Sequence, residues 1–207
     1  MKDFGKLAPS DSVERTVKAL AANGIEAFVV DSAAQAREKV LAFLPPGAEV
    51  FTAGSVTLDA IGLAQLLNDS GAYDGVKARL MKMDQKSQGR EMRKLGAGPD
   101  FAVGSAHAVT ETGSILFASL TGSQLPAYAF GAGTVIWVVS TKKIVKDVEE
   151  GFERIEKHIV PQESVRARKA YGLPESFNSF PSKVLVFNRE VQPGRAKLVF
   201  VNEDLGF

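Results

Sequence analysis

At 207 residues the chain is long enough to bury roughly 70 per cent of its unfolded surface in one core, so neither a metal nor a disulfide is needed to hold it together. Its 25 Lys and Arg nearly cancel its 24 Asp and Glu, and a net charge of +1 without a long basic block argues against a nucleic-acid surface. The absence of cysteine excludes disulfides, a thiolate nucleophile and cysteine ligation of an iron–sulfur cluster by this chain.

The opening MKDFGKLAPSD has no apolar signal segment, and no apolar run approaches the roughly 20 residues that span a bilayer. A cytoplasmic protein of one domain is expected, with 1–10 a loose N-terminal segment. Asp11 to Asn23 predicts a helix capped by Asp11, with Val13, Val17, Leu20 and Ala21 on its inward face and Gly24 ending it. Ile25 to Val30 predicts a strand. Ser32 with Gln35 three residues later makes a capping box, and Ala36, Val40, Phe43 and Leu44 keep helical spacing until Pro45, Pro46 and Gly47. Val50 to Thr52 predicts a short strand that leads through Gly54 and Ser55 into a helix carrying Leu58, Ile61, Leu66 and Leu67, broken at Gly62. This alternation predicts a three-layer α/β/α domain with a mostly parallel, Rossmann-like sheet.

Residues 68–99 are polar and glycine-containing and predict an exposed insertion with a helix from Asp84 to Leu95. Asp100 to Phe117 reads as two short strands flanking a segment of small and polar residues, in which Gly104, Ser105 and Ala106 precede His107, Thr110, Glu111 and Thr112, and Gly113 turns the chain back. Such a segment is poor core material and belongs at strand ends, where open α/β sheets keep their ligands. Thr134 to Val139, dense in β-branched residues, predicts a buried central strand, followed by Lys142 and Lys143 at its carboxyl end. Asp147 to Ile159 predicts a helix lying on the sheet through Val148, Phe152, Ile155 and Ile159, and Pro161 opens another to about Tyr171. After a loop, Gly172 to Pro181, two closing strands, Lys183 to Phe187 and Lys197 to Val201, are joined around Pro193 and Gly194.

Several residues can carry chemistry. Gly54, Ser55 and Thr57 open a helix after a strand, which suits a docked carboxylate or phosphate and equally suits a plain helix cap. Glu111, among small residues between strands, is the candidate general base or nucleophile, the alternative being a structural acid bonded to loop N–H groups. Ser105 and Thr110 would be positioning hydroxyls and Gly113 a turn residue. Lys143 and Lys142 would meet an anion at a strand exit or form a solvated pair. Of the two histidines, His107 reads as a hydrogen-bonded group and His158 as surface, and a pair so far apart makes no zinc site. Gly131-Ala-Gly133 is followed by a strand where a dinucleotide fingerprint needs a helix.

The segment Ser105, His107, Ala108, Val109, Thr110, Glu111, Thr112, Gly113 resembles the S-x-N-A-[IV]-T-E-T-G signature of the lactate-utilisation (LUD) domain family, with His107 in the usual asparagine position. GSVTLDAIGL from Gly54, VIWVVSTKKIVKD from Val135 and PGRAKLVFVNEDLGF from Pro193 agree in order, the last resembling the lactate utilisation protein C branch. Ser140 and Lys142 depart from the glycine and asparagine of V-G-x-N-K-[IV]-V, whereas Lys143 matches. The resemblance implies the superfold shared with ribose-phosphate isomerase, glucosamine-phosphate deaminase and CoA transferases. It also implies a component of L-lactate oxidation to pyruvate that binds a small carboxylate or phosphate, carries no cofactor itself and acts with partner subunits bearing iron–sulfur clusters. A stand-alone isomerase or acyl/CoA-transferase-like enzyme using Glu111, and a regulatory or scaffold subunit, are the alternatives. Relatives often place cysteines in the 172–183 loop, where this chain has SFNSFPS.

Overall fold

The computed structural model describes residues 3–207. Helix α1 (Ser10–Ala22) ends at Gly24, whose φ of +77° turns the chain into β1 (Glu26–Val30). Ser32 and Gln35 form the expected capping box of α2 (Ala33–Leu41), and β2 (Glu49–Thr52) then runs into α3 (Val56–Ala60). Gly62, at φ +67°, separates α3 from α4 (Leu63–Asp69). Next come β3 (Asp74–Gly75), α5 (Val76–Leu80), α6 (Gln85–Ala97) and β4 (Phe101–Gly104). The polar middle of the 100–117 segment is itself a strand, β5 (Ala108–Thr110), paired antiparallel with β6 (Ile115–Ser119). The remainder is β7 (Thr134–Ser140), a 3₁₀ turn at Thr141–Lys143, β8 (Ile144–Val145), α7 (Val148–Arg154), a π turn at Ile155–Ile159, α8 (Val160–Tyr171), β9 (Lys183–Phe187) and β10 (Ala196–Val201).

Six strands form one parallel sheet in the order β1-β10-β7-β4-β2-β3, with Phe101 opposite Thr134 and Val135 opposite Ala196. Alternation along β7 gives each face its own core: Ile136 and Val138 pack with Val40, Leu58 and Leu67 beneath α2, α3 and α4, whereas Val135, Trp137 and Val139 face the other way. That second face is covered by Leu20 of α1, by Val76 and by a smaller sheet of order β8-β5-β6-β9. The smaller sheet presents Val109, Ile115 and Phe117 to the core and Ala108 and Leu116 to Ile155 and Ile159. The architecture is a six-stranded parallel sheet with helices on both sides, as the alternation of elements predicts, with the smaller sheet added.

The two closing strands form where expected and lie in different sheets, β9 beside β6 and β10 beside β1 and β7. Three expectations are corrected. Residues 68–99 are not a mere excursion, since β3 extends the main sheet and Val76 is fully buried. Within 1–10, Phe4 is buried against the layer of Ile155 and Ile159, so that part is packed and not loose; residues 1 and 2 lie outside the described residues. In α7 the inward position is Gly151, where a Cβ would stand 2.8 Å from Leu116, so Phe152 turns outward and Arg154 is buried.

Candidate functional site

Three strand ends meet at one cavity of about 750 Å³ beneath α8 and the 172–182 loop. Parallel strands all deliver their carboxyl ends to the same edge, so β2, β4 and β7 bring Gly54–Thr57, Ser105–His107 and Lys143 together although they are far apart in sequence. The 3₁₀ turn after β7 sends its two lysines different ways. Lys142 pairs with Asp204 and donates to the Gly206 carbonyl at 2.5 Å. Lys143 enters the cavity floor, where Nζ lies 3.2 Å from Thr57 Oγ1, from Ser105 Oγ and from the Ala106 carbonyl.

Lys143 is only 3% exposed, and among the described residues no carboxylate pairs with it. Burial, reinforced by the charges of Arg154 and Lys142, holds its ammonium well below the usual lysine range. Arg154 is fully buried, donates to the His107 carbonyl at 2.6 Å, and leaves Nε and Nη2 without partners. Burial lowers its guanidinium to about 10. Lys142 is thus neutralised by Asp204, whereas Lys143 and Arg154 are buried against uncharged hydrogen-bond partners.

His107 lines the cavity with its Nδ1 accepting from the Ala118 N–H at 3.2 Å. Burial first, then Lys143 and Arg154, pushes the imidazole down to about 3, so it is neutral and its proton sits on Nε2. A neutral ring that accepts at one nitrogen and donates at the other matches the hydrogen-bonding capacity of the asparagine that the signature carries here. His158 is half-buried beside Phe4, not simply surface. Ser55 lines the cavity and also caps α3, accepting from Leu58 N–H at 3.3 Å. Gly206 lies over the floor at φ +66°, where a Cβ would stand 2.4 Å from Thr57 Oγ1, and Phe207 lines the cavity beside it.

Gly54, Ser55, Thr57, Ser105, His107 and Lys143 thus share one cavity, whereas Glu111, Thr110 and Gly113 do not reach it. The Glu111 carboxylate turns to α1, accepting from Ser12 Oγ at 2.5 Å and from Arg15 Nη2 at 3.0 Å and Nε at 3.2 Å. Those bonds, Arg15 foremost, lower its pKa, opposite to the raised value expected of a general base. Thr110 Oγ1 accepts from the Ser114 N–H at 2.9 Å, and Gly113, at φ +84°, packs so closely on α1 that a Cβ would stand 2.7 Å from the Ala19 carbonyl carbon. Asn23 Nδ2 donates to the Thr112 and Gly113 carbonyls at 3.1 and 3.2 Å. Thr-Glu-Thr-Gly is therefore the latch that fixes the β5–β6 turn to α1.

Sequence reasoning missed Lys77, Ser119, Gln124, Arg166 and Tyr171, which also line the cavity. Arg166 and Tyr171 come in with the closure of α8 over the strand ends, whereas Lys77 of α5, Ser119 at the end of β6 and Gln124 in the following loop sit in stretches with no distinguishing pattern. Among the described residues no three His, Asp or Glu side chains converge as metal ligands, and no helix is long and apolar enough to cross a membrane.

Fold and cavity define an open parallel α/β protein with its cleft at the carboxyl ends of the strands. The chain belongs to the LUD domain family, whose model matches residues 13–201. A crystal structure of a DUF162 family protein from Deinococcus radiodurans has the same fold, with a TM-score of 0.56 at 16% identity over 95% of this chain and 99% of that one. No curated protein matches the sequence.

Proposed function

We propose that this protein is a component of L-lactate utilisation whose cleft binds a small carboxylate. The observation that carries the reading is the buried side-chain nitrogen of Lys143, which lines the cavity with hydroxyls on either side and has no acid to pair with among the described residues. A bound carboxylate would supply the missing counter-charge, and a charge-assisted hydrogen bond of this kind contributes about 1.5–3 kcal/mol. The link to lactate rests on family membership and on the resemblance to the lactate utilisation protein C branch. In this role the chain carries no electrons and acts with cluster-bearing partner subunits in the cytoplasm. The test is calorimetric titration of the full chain with L-lactate: saturable binding that weakens about 10- to 150-fold in Lys143→Met supports the reading, and no binding, or equal binding by the variant, refutes it. Purification from the native host grown on L-lactate would recover iron–sulfur proteins with it if the partnership holds.

A second reading is favoured by the cavity volume, since about 750 Å³ exceeds the needs of a three-carbon acid. In it the chain is a stand-alone isomerase or acyl-transfer enzyme on a larger anionic substrate, in keeping with the superfold implied by the resemblance. Turnover of a sugar phosphate or CoA thioester that disappears in Lys143→Met and survives in Glu111→Gln would support that reading, because Glu111 lies outside the cavity.

A further inference from the structure

We infer that Lys143 is a reactive amine that captures the carbonyl carbon of a small 2-oxo acid as an imine. The inference deepens the small-acid reading of the cleft and rests on it. Its geometric basis is threefold. Lys143 borders the cavity while the residue is almost closed to bulk solvent, so the cleft is the side from which a ligand reaches the amine. The three partners of Nζ, each at 3.2 Å, are uncharged, so no carboxylate fixes the nitrogen as an ammonium. Two of those partners, Thr57 and Ser105, are hydroxyls, and either can reverse its bond and donate to the nitrogen lone pair. Finally, the neighbouring lysine shows what a fixed ammonium looks like in this turn, because Lys142 holds both the Asp204 carboxylate and the Gly206 carbonyl.

The surroundings favour the neutral amine. Lys142 and Arg154 make a third buried positive charge costly, which leaves the Nζ lone pair free to react. The Nζ lone pair attacks the carbonyl carbon, and the carbonyl oxygen takes up a proton to give a carbinolamine. Loss of the nitrogen proton and of that hydroxyl as water leaves the carbon–nitrogen double bond. Thr57 and Ser105, 3.3 Å apart, can relay the protons, and no oxidant or reductant is consumed. L-Lactate has an alcohol carbon in place of the carbonyl and cannot form the imine, so the site would hold the two members of a hydroxy-acid/oxo-acid pair differently.

The test is reductive trapping. The full chain is incubated with pyruvate and sodium borohydride, and the modified lysine is located by peptide mapping of the intact wild-type digest. The expected result is one reduced pyruvate adduct per chain, on Lys143, suppressed by excess L-lactate and absent in Lys143→Arg. No adduct, or adducts spread over surface lysines and unchanged in Lys143→Arg, would overturn the inference. L-Lactate binding measured on the same preparation separates the two claims: binding without an adduct removes only the imine, and failure of both removes the small-acid reading as well.

Discussion

Replacing Lys143 with Met should leave the protein at least as stable at neutral pH and should remove a pH dependence of stability. In the unfolded chain this lysine titrates near its usual value of 10.5, and in the folded protein well below it. Between those two values the unfolded state binds more protons, so wild-type stability rises with pH across the window and is lowest below the folded pKa. Each unit of depression costs about 1.4 kcal/mol at low pH. Met removes that cost and the bonds of Nζ to Thr57, Ser105 and Ala106. The two hydroxyls, 3.3 Å apart, remain partners, so the loss is chiefly the Ala106 carbonyl, about 1–3 kcal/mol. Urea unfolding at a series of pH values from 6 to about 10 reads both effects. A variant that keeps the wild-type rise with pH, or that is less stable than the wild type at pH 7, would refute the reasoning.

Glu111→Gln should lower stability by about 1 kcal/mol, the worth of a partly exposed ion pair, and leave ligand binding unchanged in the same titration calorimetry. Because the Glu111 pKa is lowered on folding, its contribution is present above the unfolded carboxylate value and fades as pH falls through the folded one, so acid unfolding of the variant should lose that component. Glu190→Gln should cost about 3–5 kcal/mol in urea unfolding, since it strips the 2.6 Å partner from Arg195, a buried guanidinium that also holds the carbonyls of Ala127, Tyr128 and Ala132. Gly206→Ala should lift residues 204–207 off the cavity floor, because the added Cβ meets Thr57 Oγ1 at a left-handed φ, and faster amide exchange confined to that segment would show it.

The main sheet was legible because its strands are apolar on both faces and its helices carry their own punctuation, as at Ser32 with Gln35, Gly24 and Gly62. β5 was not legible: Ala108, Val109 and Thr110 are too short and mixed to show a period, and their strand identity comes from pairing with β6 and β8. The meeting of Gly54, Ser105 and Lys143 followed from the rule that parallel strands end on one edge. The placement of Glu111 did not follow, because its partners, Ser12 and Arg15, sit about a hundred residues earlier on a helix whose docking angle no local pattern records. Arg154 escaped notice for a related reason. On a helical wheel it belongs to the charged side of α7, and only the approach of Leu116 to Gly151 rotates it inward.

Whether a small acid meets the Lys143 amine is read most directly from protons. Calorimetric titration with L-lactate in buffers of different ionisation enthalpy counts the protons exchanged on binding, and a carboxylate docking against a depressed lysine must raise its pKa. At a pH above the folded value, net uptake of up to one proton per bound lactate is expected in the wild type and none in Lys143→Met. Binding with no proton uptake, or with uptake that persists in the variant, would contradict the account.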